Sequence, residues 1–418
     1  MSATNRRGIF RGWLIVAAVF LVTFLGFGSA YTFSSFFQPL QLEFGASRGS
    51  VALVFAIAGF LYFVVGVVSG PLADRWGARP LAMLGMLLTG AGLMAASAAH
   101  SLNAVFLAYS IGVGLGVGCA YVPAISVVQR WFVRRRALAS GLAVSGIGAG
   151  TLVMPLLASL LIDTIGWRNA YLVLGALTAI VGAGVSLLID SDPRDRGLAP
   201  DGLAGDQSPS PAARSGATLR DAIGSSTFRI LYVTCLISAF AVFVPFVHLV
   251  PYALDHGIDA RRAALLLSLV GAGSTAGRFV LGSVADWIGR LRFLVVTCIG
   301  MAIALAVWAG ADSFARLAVF AVVFGVFYGG WVAILPTVVM DRFGSANISS
   351  IIGVLYTSVA LGTLVGPTLA GFLFDRGGSY VLAISLGCAA NAVAAALSLT
   401  LLRRSDSSRW RERAKTTV

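Results

Sequence analysis

"GTLVMPLLASLLID", residues 150–163, and "GTLVGPTLAGFLFD", residues 362–375, are one segment written twice, 212 residues apart. The same offset carries Gly70, Ala73, Asp74 and Gly77 onto Gly282, Ala285, Asp286 and Gly289. A constant offset held over several consecutive segments marks an internal duplication. Both copies are apolar, so the next question is which solvent they fold in.

Composition answers it. Of 418 residues, 58% are hydrophobic and 11% charged, and the mean hydropathy is +0.90. No soluble domain of this length has that balance. Apolar runs long enough to cross a hydrocarbon core of about 30 Å recur along the chain. Twelve are expected, at about 13–38, 50–70, 80–99, 104–128, 137–162, 169–190, 230–254, 263–285, 293–311, 315–339, 348–374 and 380–402. The 49 glycines scattered through them suit helices packed backbone to backbone in lipid. Between the sixth and seventh runs lies a polar stretch rich in Pro, Gly, Ser, Asp and Arg, which lacks the apolar content to fold alone. The expectation is an all-α membrane protein of twelve transmembrane helices in two pseudo-symmetric six-helix bundles. It divides into an N-terminal bundle (1–190), a linker (191–228), a C-terminal bundle (229–404) and a basic tail (405–418).

The run after Arg6, Arg7 and Arg11 is too long for a secretory signal, and eleven more follow. Cys119, Cys235, Cys298 and Cys388 all fall inside expected spans and read as small packing residues. With the N-terminus in the cytoplasm, 23 of the 30 basic residues lie on the cytoplasmic side, six outside, and Arg278 within a span. The positive-inside rule therefore puts both termini and the linker in the cytoplasm of a multi-pass cell-membrane protein. The tail can lie against anionic lipid, or simply end its helix in charge.

"GPLADRWGARP" (Gly70–Pro80) in the loop after the second span, with "GSVADWIGRLR" in the matching loop, resembles the signature of the major facilitator superfamily. "RGW" (Arg11–Trp13), "RWFVRRRALASGLAVSGIGAG" (Arg130–Gly150) and an arginine in the eighth span are similar to the monocarboxylate transporter family and its bacterial relatives. The resemblance implies the major facilitator fold and proton-linked symport of a short carboxylate such as lactate or pyruvate. In the signature loops, Asp74, Arg75, Arg79 and Arg134, with Asp286 and Arg290 in the second copy, form a latch that opens during transport, or else charge that sets topology.

Arg278 is the residue most in need of an account. It lies about 12 Å from the interfacial Asp286, and its side chain leans towards the midplane. An unpaired guanidinium at that depth costs several kcal/mol, so it must meet water or an anion, and no Asp or Glu lies within four residues of it. A guanidinium grips a carboxylate with two parallel hydrogen bonds. Under the 212-residue offset Arg278 falls on Gly66, so the other half offers space where this half offers charge. Ser274, one turn earlier, stands where many animal members of the resembled family carry an aspartate.

Counting from the cytoplasmic boundaries brings Tyr121, Ser145 and Tyr356 to the level of Arg278. Tyr121 is a candidate hydroxyl donor to the substrate. Tyr31, Tyr328 and Trp331 are candidate pocket walls, with packing as the alternative. His248, the only histidine inside a span, either titrates during transport or packs. For the proton there are two routes, this histidine or the substrate carboxylate itself.

Other functions lack their chemistry. Three histidines and no clustered acids argue against a membrane-embedded enzyme, a metal or a cofactor. "GVGLGVG" (Gly112–Gly118) has glycines at nucleotide-loop spacing but follows no strand, so no nucleotide site is expected. No basic patch belongs to a soluble domain, which argues against nucleic acid. An oxalate/formate-type antiporter would carry a lysine in the eleventh span, whereas the only lysine is Lys415. The expected partners are a small carboxylate, protons and the bilayer, and the expected working unit is a monomer.

Overall fold

The computed structural model describes residues 10–132, 135–199, 201, 216–344 and 348–416. The described chain is helical: α1 (Arg11–Tyr31), α2 (Phe33–Phe44), α3 (Arg48–Trp76), α4 (Ala78–Ser97), α5 (Leu102–Val105), α6 (Gly112–Trp131) and α7 (Arg136–Ser186), then α8 (Leu219–Gly224), α9 (Ser226–Val242), α10 (Val244–Asp255), α11 (Ala260–Ile288), α12 (Arg290–Ala309), α13 (Phe314–Phe343), α14 (Ile348–Gly377) and α15 (Val381–Thr416). A π-helical turn, Phe106–Ile111, joins α5 to α6. Among the described residues ten helices are long and apolar enough to cross a membrane.

Ten and the expected twelve differ at two places. The fifth and sixth expected spans run together in α7, within which Gly166 alone leaves helical geometry, at φ 78°. The eighth lies in α11 (Ala260–Ile288), a helix of membrane length that is not among the ten. α15 continues through the basic tail to Thr416.

The duplication is visible in the backbone. Gly45 and Gly257, Gly77 and Gly289, and Gly166 and Gly378 all have positive φ, and each pair is 212 residues apart. These are the turn positions where a side chain would be strained. Pro39 and Pro251, inside α2 and α10, keep the same spacing, as do Pro155 and Pro367 inside α7 and α14. The first and seventh expected spans are interrupted at nearly equivalent places, by Thr32 between α1 and α2 and by Phe243 between α9 and α10.

Within the N-terminal half, α7 packs on α1 and α4, and α6 on α3 and α4; within the C-terminal half, α13 packs on α11 and α12, and α9 on α14 and α15. The halves meet along α3 with α14 and α7 with α11. Glycine makes the close approaches. A Cβ on Gly277 would lie 2.1 Å from the Val326 carbonyl oxygen, and one on Gly148 would lie 2.1 Å from Thr275 Oγ1.

Gly277→Val is therefore expected to force α11 from α13 and lower stability by about 1–3 kcal/mol or more. Thermal unfolding and size-exclusion profiles of the purified variant measure this, and a wild-type melting point would show the contact to be dispensable.

Candidate substrate site

A cavity lies where α1, α3, α6, α7, α11, α13 and α14 converge with the α9–α10 break, with an empty volume of about 440 Å³ including the solvent space at its mouth. Aromatic rings form most of its wall: Phe27, Tyr31, Phe63, Tyr121, Phe243, Tyr328, Trp331 and Tyr356. Arg278 supplies the only charge among its described lining residues. Arg278 is 9% exposed. Its Nη1 donates to the Val144 carbonyl oxygen on α7 at 2.8 Å, while Nε and Nη2 have no partner. These two nitrogens share one edge of the planar group, the edge that presents two parallel N–H donors to a carboxylate. The protein thus holds Arg278 by one corner and leaves without a partner the edge suited to an anion.

The other expected residues divide. Tyr121, Tyr31, Tyr328, Trp331 and Tyr356 line the cavity with Arg278. Tyr31 and Tyr328 approach oxygen to oxygen at 3.5 Å across the two halves. Ser145 and Ser274 do not line it: Ser145 Oγ donates to the Leu142 carbonyl on its own helix, and Ser274 is buried where the backbone of Gly329 packs against it. The space expected opposite Arg278 is also taken, since a Cβ on Gly66 would stand 2.9 Å from a Val122 methyl. The sequence did not single out Phe27, Phe63 or Phe243, because an aromatic in an apolar span has no distinguishing mark. For Phe243 there was one signal, its place 212 residues after Tyr31.

His248 stands apart from the cavity lining, fully buried. Its Nε2 lies 2.8 Å from the Pro367 carbonyl oxygen and its Nδ1 lies 3.0 Å from Tyr380 Oη. A carbonyl only accepts, so Nε2 carries the proton and the bare Nδ1 of the neutral ring accepts from Tyr380. Burial pushes the Tyr380 phenol up, which keeps that proton in place. Tyr380 Oη in turn accepts from Arg48 Nη1 at 2.9 Å.

Arg48 closes that end of the molecule. Both its terminal nitrogens donate to the Asp255 carboxylate at 2.6 Å. The backbone N–H groups of Arg48 and Gly49 donate to Asp375 at 2.9 and 2.8 Å, and the guanidinium lies 4.0 Å above the Phe374 ring. Each contact joins the N-terminal half to the C-terminal half. The helices follow suit: a Cβ on Gly371 would lie 2.7 Å from Gly49 near this end, whereas further along α14 Gly353 has Val67 no nearer than 3.7 Å. On α7, Gly148 abuts Thr275, yet Gly141 has nothing within 4 Å. The described halves therefore lie closer together at the Arg48 end than towards the far end of α3.

At that far end the described ion pairs stay within one half. Asp190, 5% exposed, accepts from Arg11 Nε at 2.8 Å, from Arg196 at 3.2 Å and from Arg79. Trp131 Nε1 donates to the Asp190 carbonyl at 2.9 Å. Arg290 pairs with Asp341, and Arg75 is exposed. Arg134 lies outside the described residues, as do the side chains of Asp74 and Asp286. The latch residues Arg79 and Arg290 thus pair with partners, Asp190 and Asp341, that sequence reasoning did not name.

The family model described as Major Facilitator Superfamily matches residues 19–354. Monocarboxylate transporter 11 of Homo sapiens is 32% identical over 381 residues, covering 88% of this chain and 78% of its own. The Mus musculus protein of that name is 34% identical, covering 88% and 82%. Monocarboxylate transporter 3 of Rattus norvegicus is 32% identical, covering 87% and 74%. Among solved structures, a bacterial homologue of the human lysosomal transporter Spinster, in an inward-facing and unoccupied conformation, superposes with a TM-score of 0.72 at 17% identity, covering 96% of this chain and 98% of that one. Fold, cavity and relatives together define a multi-pass membrane transporter and not an enzyme. The chain belongs to the major facilitator superfamily, and its relatives within it are monocarboxylate transporters.

The Asp190 cluster makes a prediction about acid. Burial works to raise this carboxyl, and the hydrogen bonds from Arg11 and Arg196 outweigh it, leaving the group below its ordinary value. A carboxyl lowered on folding contributes stability above its unfolded value, about 4, and loses it as pH falls through the folded value. The melting temperature in detergent is expected to drop on acidification through that window. Asp190→Asn should lower it at pH 7 and flatten the acid decline, and an undiminished slope in that variant would remove Asp190 from the account.

Proposed function

We propose that this chain is a secondary active transporter that moves a small monocarboxylate, such as lactate or pyruvate, together with a proton by alternating access. The observation that carries the reading is the free Nε–Nη2 edge of Arg278 in a cavity between the halves, with no carboxylate among the described residues to neutralise it. One fixed cation suits one carboxylate, and the aromatic wall suits the short apolar remainder of such an acid. The architecture belonging to this reading is two six-helix bundles. α7 counts as two spans on either side of Gly166, and α11 completes twelve. Both termini are cytoplasmic by the distribution of basic residues, so the Arg48 end faces outward and the parted end inward. The state described is then closed to the outside and open towards the cytoplasm. Of its latch charges, Arg79 and Arg290 are engaged within single halves, as expected once a cytoplasmic latch has opened.

In this mechanism the acid enters from the outside when the Arg48 contacts are broken, docks on the Arg278 edge, and leaves through the parted end as the halves rock. An arginine cannot release a proton, so the proton travels on the substrate carboxylate as it leaves the guanidinium. His248, with both ring nitrogens engaged and no place in the cavity wall, supports the outer closure.

Uptake of labelled lactate or pyruvate into proteoliposomes under an inward proton gradient tests the reading. Arg278→Ala should abolish uptake while folding persists. Arg278→Lys should fail nearly as badly, because an ammonium cannot form the paired bonds. Normal uptake by the alanine variant, or preferred uptake of a dicarboxylate by the wild type, would overturn it.

Tyr121→Phe should weaken apparent affinity by about 1.5–3 kcal/mol, the range for a hydrogen bond to a charged group. An unchanged value would make Tyr121 a wall residue only.

His248→Gln should keep gradient-driven uptake, with at most a shifted pH profile. Loss of gradient-driven uptake with exchange preserved would instead identify His248 as the proton carrier.

A further inference from the structure

The outer closure buries a titratable ring between the two halves. His248 of α10, in the C-terminal half, is fully buried. α2 covers it from the N-terminal half: the Phe37 ring meets it edge to face, centroids 5.4 Å apart, and Ser34 Oγ donates to the carbonyl of the neighbouring Val247 at 3.1 Å. The hydrogen-bond partners of the ring belong to its own half, Nε2 donating to the Pro367 carbonyl of α14 and Nδ1 accepting from Tyr380 Oη. Parting the halves at this end therefore removes Phe37 and gives the ring to water, while both partners stay with it.

The closed arrangement suits the neutral ring only. Tyr380 Oη gives its one proton to Nδ1 and accepts from Arg48 Nη1 at 2.9 Å. A proton on Nδ1 would aim a second donor at the same oxygen and leave the phenol proton without its acceptor. It would also set an imidazolium and a guanidinium on either side of one hydroxyl. Once Arg48 has withdrawn with the N-terminal half, Oη can accept from a protonated Nδ1 and turn its own proton to water. The other charges at this end are already placed. Asp255, at the end of α10 itself, and Asp375 of α14 both hold Arg48, and Arg376 beside Asp375 is exposed. At the start of α11, Arg261 and Arg262 are exposed and face Asp163 and Asp259. Glu43 of α2 pairs with Arg168, and the one charge of α9, Arg229, lies near its start.

We propose that His248 is a pH-sensitive switch on the outer closure: the ring is neutral while the outer end is closed, and its protonation from outside holds that end open. The proton returns outside when the end closes again, so His248 sets how many carriers wait outward-facing and moves no proton across the membrane. The inference rests on the alternating-access reading above and adds to it a regulator, separate from the proton that travels on the substrate. An imidazole in water titrates near about pH 6.5. With the closed state taking no proton, the ratio of outward-open to outward-closed carriers should rise about tenfold between about pH 7.5 and pH 5.5.

Pulsed electron–electron distance measurements on the full chain in nanodiscs read this ratio. Spin labels at Leu42→Cys and Ala260→Cys, both exposed at the outer end and one on each half, are placed in a chain whose half-buried Cys119 and Cys388 are replaced by alanine. The long outer distance is expected to gain population in acid without substrate. His248→Gln keeps an acceptor for Tyr380 and a donor for Pro367 but takes no proton, so its ratio should stay flat over the same range. Tyr380→Phe should raise the open fraction already at pH 7.5. A pH-independent ratio in the labelled chain would overturn the inference without recourse to either variant. A full acid response in a folded His248→Gln would overturn it too and assign the response to Asp255 and Asp375. One fixed outer distance at every pH, with saturating lactate as without it, would overturn the alternating-access reading and the inference with it; a distance that answers to lactate and ignores pH overturns the switch alone.

Discussion

A guanidinium held in the membrane interior by a single carbonyl oxygen is the constraint around which the rest of the molecule is arranged. Among the described residues Arg278 hydrogen-bonds to the N-terminal half through the Val144 carbonyl, and its remaining edge is buried without a partner beside the cavity the residue helps to line. Pairing with a protein acid would have satisfied it better and made it inert, because a buried pair is costly to separate. On the proposed reading, leaving the edge unpaired makes the site depend on an anion from solution. The helices that carry Arg278 and Trp331 pack on small residues, since Gly277 and Gly329 let α11 and α13 approach backbone to backbone.

The scaffold is symmetric and the site is not. Three pairs of turn glycines and two pairs of helix prolines repeat at the same spacing, yet Arg278 has Gly66 as its counterpart, and Val122 fills the room that glycine leaves. The asymmetry extends to the ends. Arg48 reaches Asp255, Asp375 and Tyr380 across the halves, whereas Asp190 gathers Arg11, Arg79 and Arg196 inside one half. A device that rocks about a central site requires one end locked across the halves while the other is free, and these two groups of charge differ in that respect.

The sequence made the helices and the duplication legible because both are written in local pattern: apolar runs of membrane length, and a spacing that can be counted. It also isolated Arg278, since one charge in an apolar run is conspicuous. Contacts across long sequence separations stayed hidden. Asp255, Asp375 and Asp190 read as ordinary charges at helix ends, and only the fold brings Arg48 and three helix ends together. Depth counting brought forward Ser145, and the resembled family's pattern Ser274, but neither could say which way the side chain faces. The rise along a helix fixes height, while each residue turns the direction by about 100°; Ser145 bonds to its own helix and Ser274 is buried outside the cavity lining. The merging of two spans in α7 was equally illegible, because the break is one residue's backbone angle at Gly166.

The account stands on the unpartnered edge of Arg278, and a structure of the transporter with bound lactate or pyruvate tests it most directly. The two carboxylate oxygens are expected about 2.9 Å from Nε and Nη2, with the Val144 carbonyl still on Nη1 and the acid enclosed by Tyr121 and Trp331. An acid bound elsewhere in the molecule, or an Arg278 turned away to pair with a carboxylate of the protein, would contradict it.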